Sequence, residues 1–393
     1  MYYFEYPKID ATIYEGSVTS SINTGLDQIL EINKNMNSAG TTIDVSRVLI
    51  QFDYSYISSS VQSGIIPSDA KYYLNLYDAS SEELAVEQTL FAYMISGSWN
   101  GGTGTKDRDP ALSDGASWKY RDNDTTKTEW VSGSTTQGGT WYTSSLNSGY
   151  NVSASVDLVY ETKDIRMDVT SLVKNHIYSG STFPNYGFIL KRENVPTSQS
   201  LHSIFDPTLA TGSAEHDTSH QGNLKFFSRE TNTIFPPKLE VEWDDSSWNT
   251  GSLSALSATD LDRLKVYFQN LKPEYKEKSK VKFRVVGREL YPTRGFDTTP
   301  AALTVKYLPS GSRTLQQGAY YSVKDAETED VIIPFSTGSI ISCDSTSNYF
   351  NLWMDGFQPE RFYRFEIKVV SGSGTDETSM IYDDGYEFKV VRK

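Results

Sequence analysis

Runs of about four to eight residues in which apolar and polar side chains alternate recur along almost the whole chain. Alternation with a period of two is the mark of a half-buried β-strand, because successive side chains point to opposite faces. A chain patterned this way is expected to be all-β. In the first part the runs lie at 12–15, 28–32, 47–54, 70–77 and 88–95. In 70–77, Tyr72, Leu74 and Leu76 share one face, while Lys71, Tyr73, Asn75 and Tyr77 share the other. The run at 88–95 is its expected antiparallel partner. Residues 183–245 hold three more runs divided by turn residues, and end where the composition shifts toward serine.

One stretch departs from the pattern. In 165–177 a strand-like start gives way to Val169, Leu172, Val173 and Ile177 at helical spacing, with Asp168 or Thr170 placed as the N-cap. It is the one helix expected in residues 1–245.

At 393 residues the chain is longer than one hydrophobic core usually supports, so more than one domain is expected. Residues 246–259 are rich in Ser, Thr and Gly and read as a linker. Beyond them, strand-like runs recur at 263–268, 280–286, 303–307, 320–323, 331–335, 349–354, 363–370 and 387–391. The expected architecture is two tandem β-sandwich domains. One is jelly-roll-like, covers 1–245 and carries the short helix; the other is smaller, Ig-like or similar, and covers 260–393. An aromatic content of 13% suits such cores, since these rings bury large areas and favour strands.

Residues 97–154 change character. They are rich in Gly, Ser, Thr and Asp, and Trp99, Trp118, Trp130 and Trp141 are spread through them. A loop region this long is an elaborated insert or a functional one. Its tryptophans are expected to fold it onto the sheet or onto a partner, and exposed rings there would also suit stacking on a sugar.

The formal net charge of −14 argues against a nucleic-acid-binding surface, which needs clustered Lys and Arg. No apolar run approaches the ~20 residues that span a bilayer, so no membrane insertion is expected. The first residues lack the basic and apolar regions of a signal peptide, which places synthesis in the cytoplasm. With Cys343 as the single cysteine there is no intrachain disulfide, and a buried, inert thiol is expected.

Glu215, His216 and His220 have ligand-like spacing, but Thr218 and Ser219 argue for a polar loop rather than the helix that would align them. Asp107-Arg108-Asp109, Asp122-Asn123-Asp124 and Asp383-Asp384 offer oxygens of the kind Ca²⁺ takes, yet none matches the EF-hand pattern, and solvated turns are expected. Arg229 and Glu230 form a further charged pair. Signatures of serine hydrolases, zinc proteases, phosphate loops and dinucleotide folds are missing from the sequence. No catalytic residue, metal ligand or cofactor is assigned, and no enzymatic activity is expected.

Six segments share an order and spacing with a known module: SRVLIQFD at 46–53, AKYYLNLY at 70–77, MDVTSLV at 167–173, NYGFILK at 185–191, FFSRE at 226–230 and PPKLEV at 236–241. Together they resemble the DNRLRE type of β-sandwich, over residues 1–245. That family is a jelly-roll-like module of bacterial surface proteins and carbohydrate-binding modules, with related copies in phage structural proteins. Its bacterial members usually carry signal peptides, and this sequence shows none. The resemblance therefore implies a virion structural protein of collar or neck, tail, baseplate or head decoration. Such a protein would dock to other virion proteins as a homo-oligomer within a symmetric assembly, with a surface glycan as a further partner. A carbohydrate-binding or adhesin protein is the alternative. In the structural reading Arg229 holds loops together by hydrogen bonding, and Pro236-Pro237 sets up the following strand.

Overall fold

A computed structural model describes residues 1–16, 19–36, 40, 43–81, 88–107, 114–130, 137–142, 149–158, 164–193, 221–256, 261–291, 305–310, 317–371 and 378–392. The fold is all-β, with two α-helices among the described residues. The chain divides into two compact units: Glu5–Glu240, and Met1–Phe4 together with Val241–Lys393.

In the first stretch the strands are β1 (Tyr2–Glu5), β2 (Pro7–Tyr14), β3 (Ile29–Met36), β4 (Ile43–Phe52), β5 (Lys71–Leu76), β6 (Gln88–Met94), β7 (Tyr120–Asp122), β8 (Thr128–Glu129), β9 (Ser153–Leu158), β10 (Ile165–Asp168), β11 (Phe188–Glu193), β12 (Gly222–Phe227) and β13 (Lys238–Glu242). The helices are α1 (Ser55–Gln62) and α2 (Thr170–Tyr178). A seven-stranded sheet runs β12-β3-β4-β11-β6-β9, with β2 also paired to β4. A second sheet of this unit contains β13, β5 and β10 in that order.

β4 is the hub. It pairs with β3 through Val45, with β2 from Ser46 to Phe52, and with β11 from Val48 to Ile50. Both of its alternating side-chain sets are buried: Val48, Ile50 and Phe52 on one face, Val45, Arg47 and Leu49 on the other. The first set lies with Leu90, Ala92, Met94, Phe188 and Leu190 on the side where α2 packs, Asn175 reaching Met94. The second is covered by the insert. Trp99, Trp118, Trp130 and Trp141 join Ile13, Val45, Leu49, Tyr93 and Ile189 in one core.

Arg47 explains why the cover fits. It is fully buried, donates from its guanidinium to Gly138 O at 2.6 Å, and lies 4.6 Å over the Trp118 ring and 5.2 Å over Trp141. A buried charge needs such partners. Gly138 has φ of +89°, and a Cβ there would meet Trp118 and Arg47, so the turn accepts only glycine. The indole N–H groups are satisfied inside the insert's surroundings, Trp99 on Tyr186 O at 2.8 Å and Trp130 on Ser117 O at 2.7 Å. Asn23 ties down the insert's start through Gly101 O, Ala116 O and Gly104 N.

The other unit adds β14 (Ser254–Ala255), β15 (Leu264–Gln269), β16 (Glu274–Lys276), β17 (Lys280–Glu289), β18 (Lys306–Tyr307), β19 (Gly318–Asp325), β20 (Val331–Ile333), β21 (Ser342–Cys343), β22 (Asn348–Trp353), β23 (Arg361–Ser371) and β24 (Thr378–Val391). One sheet runs β14-β18-β17-β22-β21 with β15 on β17, the other β16-β24-β23-β19-β20. Between them lies an aromatic core of Phe268, Phe283, Phe350, Phe365 and Phe388, with Tyr321 stacked 4.0 Å from Phe350.

Five expectations need correction. Residues 88–95 do not partner 70–77: β5 pairs with β10, while β6 pairs with β11 and β9 in the other sheet. Successive strands here change sheets, as buried runs in a sandwich can, and alternation alone does not encode which. The 246–259 stretch is not a free linker, since Ser254 and Ala255 pair in parallel with Lys306 and Tyr307, and Trp248 bridges Cys343.

The unexpected helix is α1, whose Ser-rich sequence has little helical propensity. Asp53 takes its first-turn Ser55 N–H at 2.9 Å, and Ile57 and Ser60 are buried. α2 is where it was expected, but its N-cap is Val169 without a side-chain bond, Asp168 accepting Thr170 N–H instead.

The fifth correction concerns the start of the chain. Met1–Phe4 groups with Val241–Lys393 rather than with residues 5–240. Tyr2 and Phe4 are buried in the same core as Phe283 and Phe350. The Met1 ammonium donates to Gly338 O and to Trp243 O, the latter at 2.6 Å, and lies 3.3 Å from Asp245. Burial lowers its pKa, and Asp245 opposes that. Glu242 accepts from Ser336 Oγ at 2.7 Å and from Gly338 N at 3.1 Å, and the Tyr2 hydroxyl pairs with Ser336.

Phe4→Ala is therefore expected to destabilise the smaller unit by about 3–5 kcal/mol. Urea unfolding of the full chain checks this: the transition assigned to Val241–Lys393 moves to lower urea, and an unmoved transition contradicts the placement.

Candidate functional site

A set of chemically capable side chains in the larger unit lies on the polar face of β13, β5 and β10. In β13 the order Lys-Leu-Glu sends Leu239 to one side and Lys238 and Glu240 to the other. In β5 the same rule puts Leu74 and Leu76 on the core side and Tyr73 and Asn75 opposite, with Tyr77 following. β10 adds Arg166 between the buried Ile165 and Met167.

These groups meet at Glu240. Asn75 Nδ2 donates to Glu240 Oε2 at 2.9 Å, and Arg166 donates to Glu240 Oε1 at 2.7 Å. The Arg166 guanidinium also sits 3.5 Å over the Tyr73 ring. Lys238 Nζ is 5.4 Å from the Tyr77 ring, and Tyr77 packs against Phe235 at 5.3 Å.

Although it faces away from the apolar core, this cluster is buried: Asn75 is 6% exposed, Glu240 5% and Lys238 8%. Desolvation pushes the Lys238 ammonium down from 10.5 to about 8; Glu240 opposes the shift and Arg166 adds to it. An amine, a carboxylate and a primary amide thus lie on two neighbouring strands between aromatic rings.

The residues singled out from sequence lie elsewhere. Arg108, Asp109, Glu215, His216 and His220 fall outside the described residues. Asp122 and Asp124 hold their own turn, accepting Asp124 N at 3.2 Å and Thr125 N at 2.7 Å. Asp383 lies 3.5 Å from Arg364, and Asp384 pairs with Lys265. Among the described residues no three His, Cys, Asp or Glu converge as a metal site. Arg229 donates from its guanidinium to Lys8 O and from its backbone N to Asp10 at 2.7 Å. Cys343 is buried, and burial with the nearby Asp344 pushes its thiol up to about 11. All four insert tryptophans are buried, at 3–9% exposure.

Alternation alone puts Tyr73, Asn75 and Tyr77 on one face without marking a role for them, and no motif marks Lys238, Glu240 or Arg166. The alternation in Lys238–Glu242 carries the signal for the face; the strand neighbours that complete the cluster are not written in any local pattern.

His176 is a second buried polar group. Its Nδ1 pairs with Phe183 O at 2.8 Å, while Nε2 is buried without a hydrogen-bond partner among the described residues. The Tyr54 hydroxyl is likewise unpaired, and the two rings are 5.7 Å apart. Desolvation lowers the His176 pKa from 6.5 to about 4.

No family model and no curated protein matches the sequence. Among solved structures, a DUF4785 family protein from Legionella pneumophila aligns at 10% identity over 96% of this chain and 68% of its own, with a TM-score of 0.17.

Because the folded pKa of His176 lies below its unfolded value, the unfolded chain takes up the proton first as pH falls. The stability it contributes is complete above pH 6.5 and is lost progressively down to about pH 4. The loss amounts to roughly 3 kcal/mol at the acid end. His176→Gln is expected to flatten the fall in urea midpoint between neutral pH and that limit, and parallel profiles for the two proteins contradict it.

Proposed function

We propose that the chain is a structural component of a bacteriophage virion, in a collar or neck, tail, baseplate or head-decoration position. It works there by docking to other virion proteins, as a homo-oligomer within a symmetric assembly. The observation that carries the reading is the way side chains are allotted. Buried charged groups such as Arg47, Glu240 and Glu242 brace the sheets. Large apolar groups stand exposed on ordered elements: Tyr178 at the end of α2 is 55% exposed, and Phe362 on β23 and Ile381 on β24 are 45% and 50% exposed. Rigid presentation of aromatic groups is what docking surfaces use, and the sequence resemblance to phage modules points the same way.

The carbohydrate-binding alternative drew on the insert's tryptophans. Trp99, Trp118, Trp130 and Trp141 are core rings, so a sugar would have to be recognised elsewhere.

Mass spectrometry of purified particles is expected to find this chain at a stoichiometry set by the assembly's symmetry, and particles lacking it would remove the proposal. The paired substitution Tyr178→Ala and Phe362→Ala is expected to change stability by no more than about 0.5 kcal/mol per site, as exposed positions do. Its incorporation into particles should nonetheless drop several-fold. Full incorporation of this folded variant places docking on other surfaces.

A further inference from the structure

The Lys238–Glu240–Asn75 cluster has the parts of a self-catalysed cross-link. β13 and β5 are neighbours in their sheet. Asn75 meets Glu240 and Tyr77 meets Lys238, so residue numbers rise along one strand as they fall along the other. The strands therefore run antiparallel here, with Lys238 on the same face as Asn75 and diagonal to it. Diagonal neighbours across an antiparallel pair are within reach of long side chains.

We propose that Lys238 and Asn75 become joined by an isopeptide bond between β13 and β5, with Glu240 carrying the protons. The neutral ε-amine of Lys238 attacks the Asn75 side-chain carbonyl carbon, forming a new C–N bond. The bond from that carbon to Nδ2 breaks, and Nδ2 leaves as ammonia. Glu240 takes a proton from the attacking nitrogen and gives one to the departing nitrogen, ending in the state in which it began. One amine and one primary amide become one secondary amide and one ammonia, with no change of oxidation state.

Three observations fit each role. The leaving nitrogen is the atom that already donates to Glu240 Oε2 at 2.9 Å, so the proton carrier faces the leaving group. Arg166 holds Oε1 at 2.7 Å, reaches Oε2 more weakly at 3.5 Å, and so fixes the carboxylate with Oε2 turned toward Asn75. Burial of Asn75, Glu240 and Lys238 below a tenth exposure keeps competing water away. Desolvation of Lys238 supports the same chemistry, since a pKa near 8 populates the neutral amine close to physiological pH.

Intact-mass spectrometry of the folded full-length chain tests this. The expected mass is that of the sequence less one ammonia, with a branched proteolytic peptide containing Lys238 and Asn75. Chain held unfolded from synthesis should show the full mass and lose ammonia on folding. Lys238→Arg and Asn75→Ala should abolish the deficit completely. Glu240→Gln should abolish it or slow it at least tenfold, with circular dichroism showing the fold retained. Asn75→Asp, which preserves the shape of the site, can lose only water and never ammonia. Folded wild-type chain that keeps its full mass after prolonged incubation overturns the proposal, as does a deficit that survives Lys238→Arg. Neither result touches the virion reading, which particle composition decides.

Discussion

The larger unit depends on the double-sided burial of Ile43–Phe52. A strand with three pairing partners is locked in register, and one with apolar side chains on both faces cannot leave either face in water. A two-layer sandwich covers only one face of each sheet. The chain solves this by folding its long insert back as a third layer, and the weight of that layer is carried by large rings because its backbone is Gly- and Ser-rich and buries little by itself. Arg47 is the point where the arrangement could fail, since an uncompensated buried cation is strongly destabilising. Two indoles and a backbone carbonyl compensate it.

The smaller unit meets the same demand differently. Its faces are closed by charge pairs rather than by a third layer. Asp325, only 1% exposed, is gripped by Arg361 at 2.8 and 3.0 Å, and the arrangement holds its carboxyl below the ordinary range despite desolvation. Lys324 and Glu366 repeat the motif at 2.6 Å across the same strand pair. Pairs of this kind contribute modestly to stability, but they make any shift of strand register costly because each shift would orphan a buried charge.

The period-two alternation made the all-β class and most strand positions legible in the sequence, because burial on one face leaves a local signature. It also placed Asn75 with Tyr73 and Tyr77 on one face of their strand. What it could not carry was adjacency: Glu240 lies 165 residues from the Asn75 amide it accepts from, and nothing near either residue records the pairing. The same gap explains the misplaced partner of 70–77. α1 was invisible for a different reason, its helix being imposed by burial of Ile57 and Ser60 on a sequence with weak intrinsic preference. The insert's tryptophans were read as either cover or contact surface, and only the three-dimensional core distinguishes the two.

The seating of Tyr2 and Phe4 among Phe283 and Phe350 has a consequence in time. A ribosome makes Tyr2 and Phe4 long before the rest of their core, which runs to Val390, and at ordinary elongation rates the wait is on the order of 20 to 80 seconds. During that interval Tyr2 and Phe4 lack most of the core they enter, although residues 5–240 are already made. The smaller unit therefore closes only once Phe388 and Val390 have been made, and Tyr2 and Phe4 act as its closing stitch.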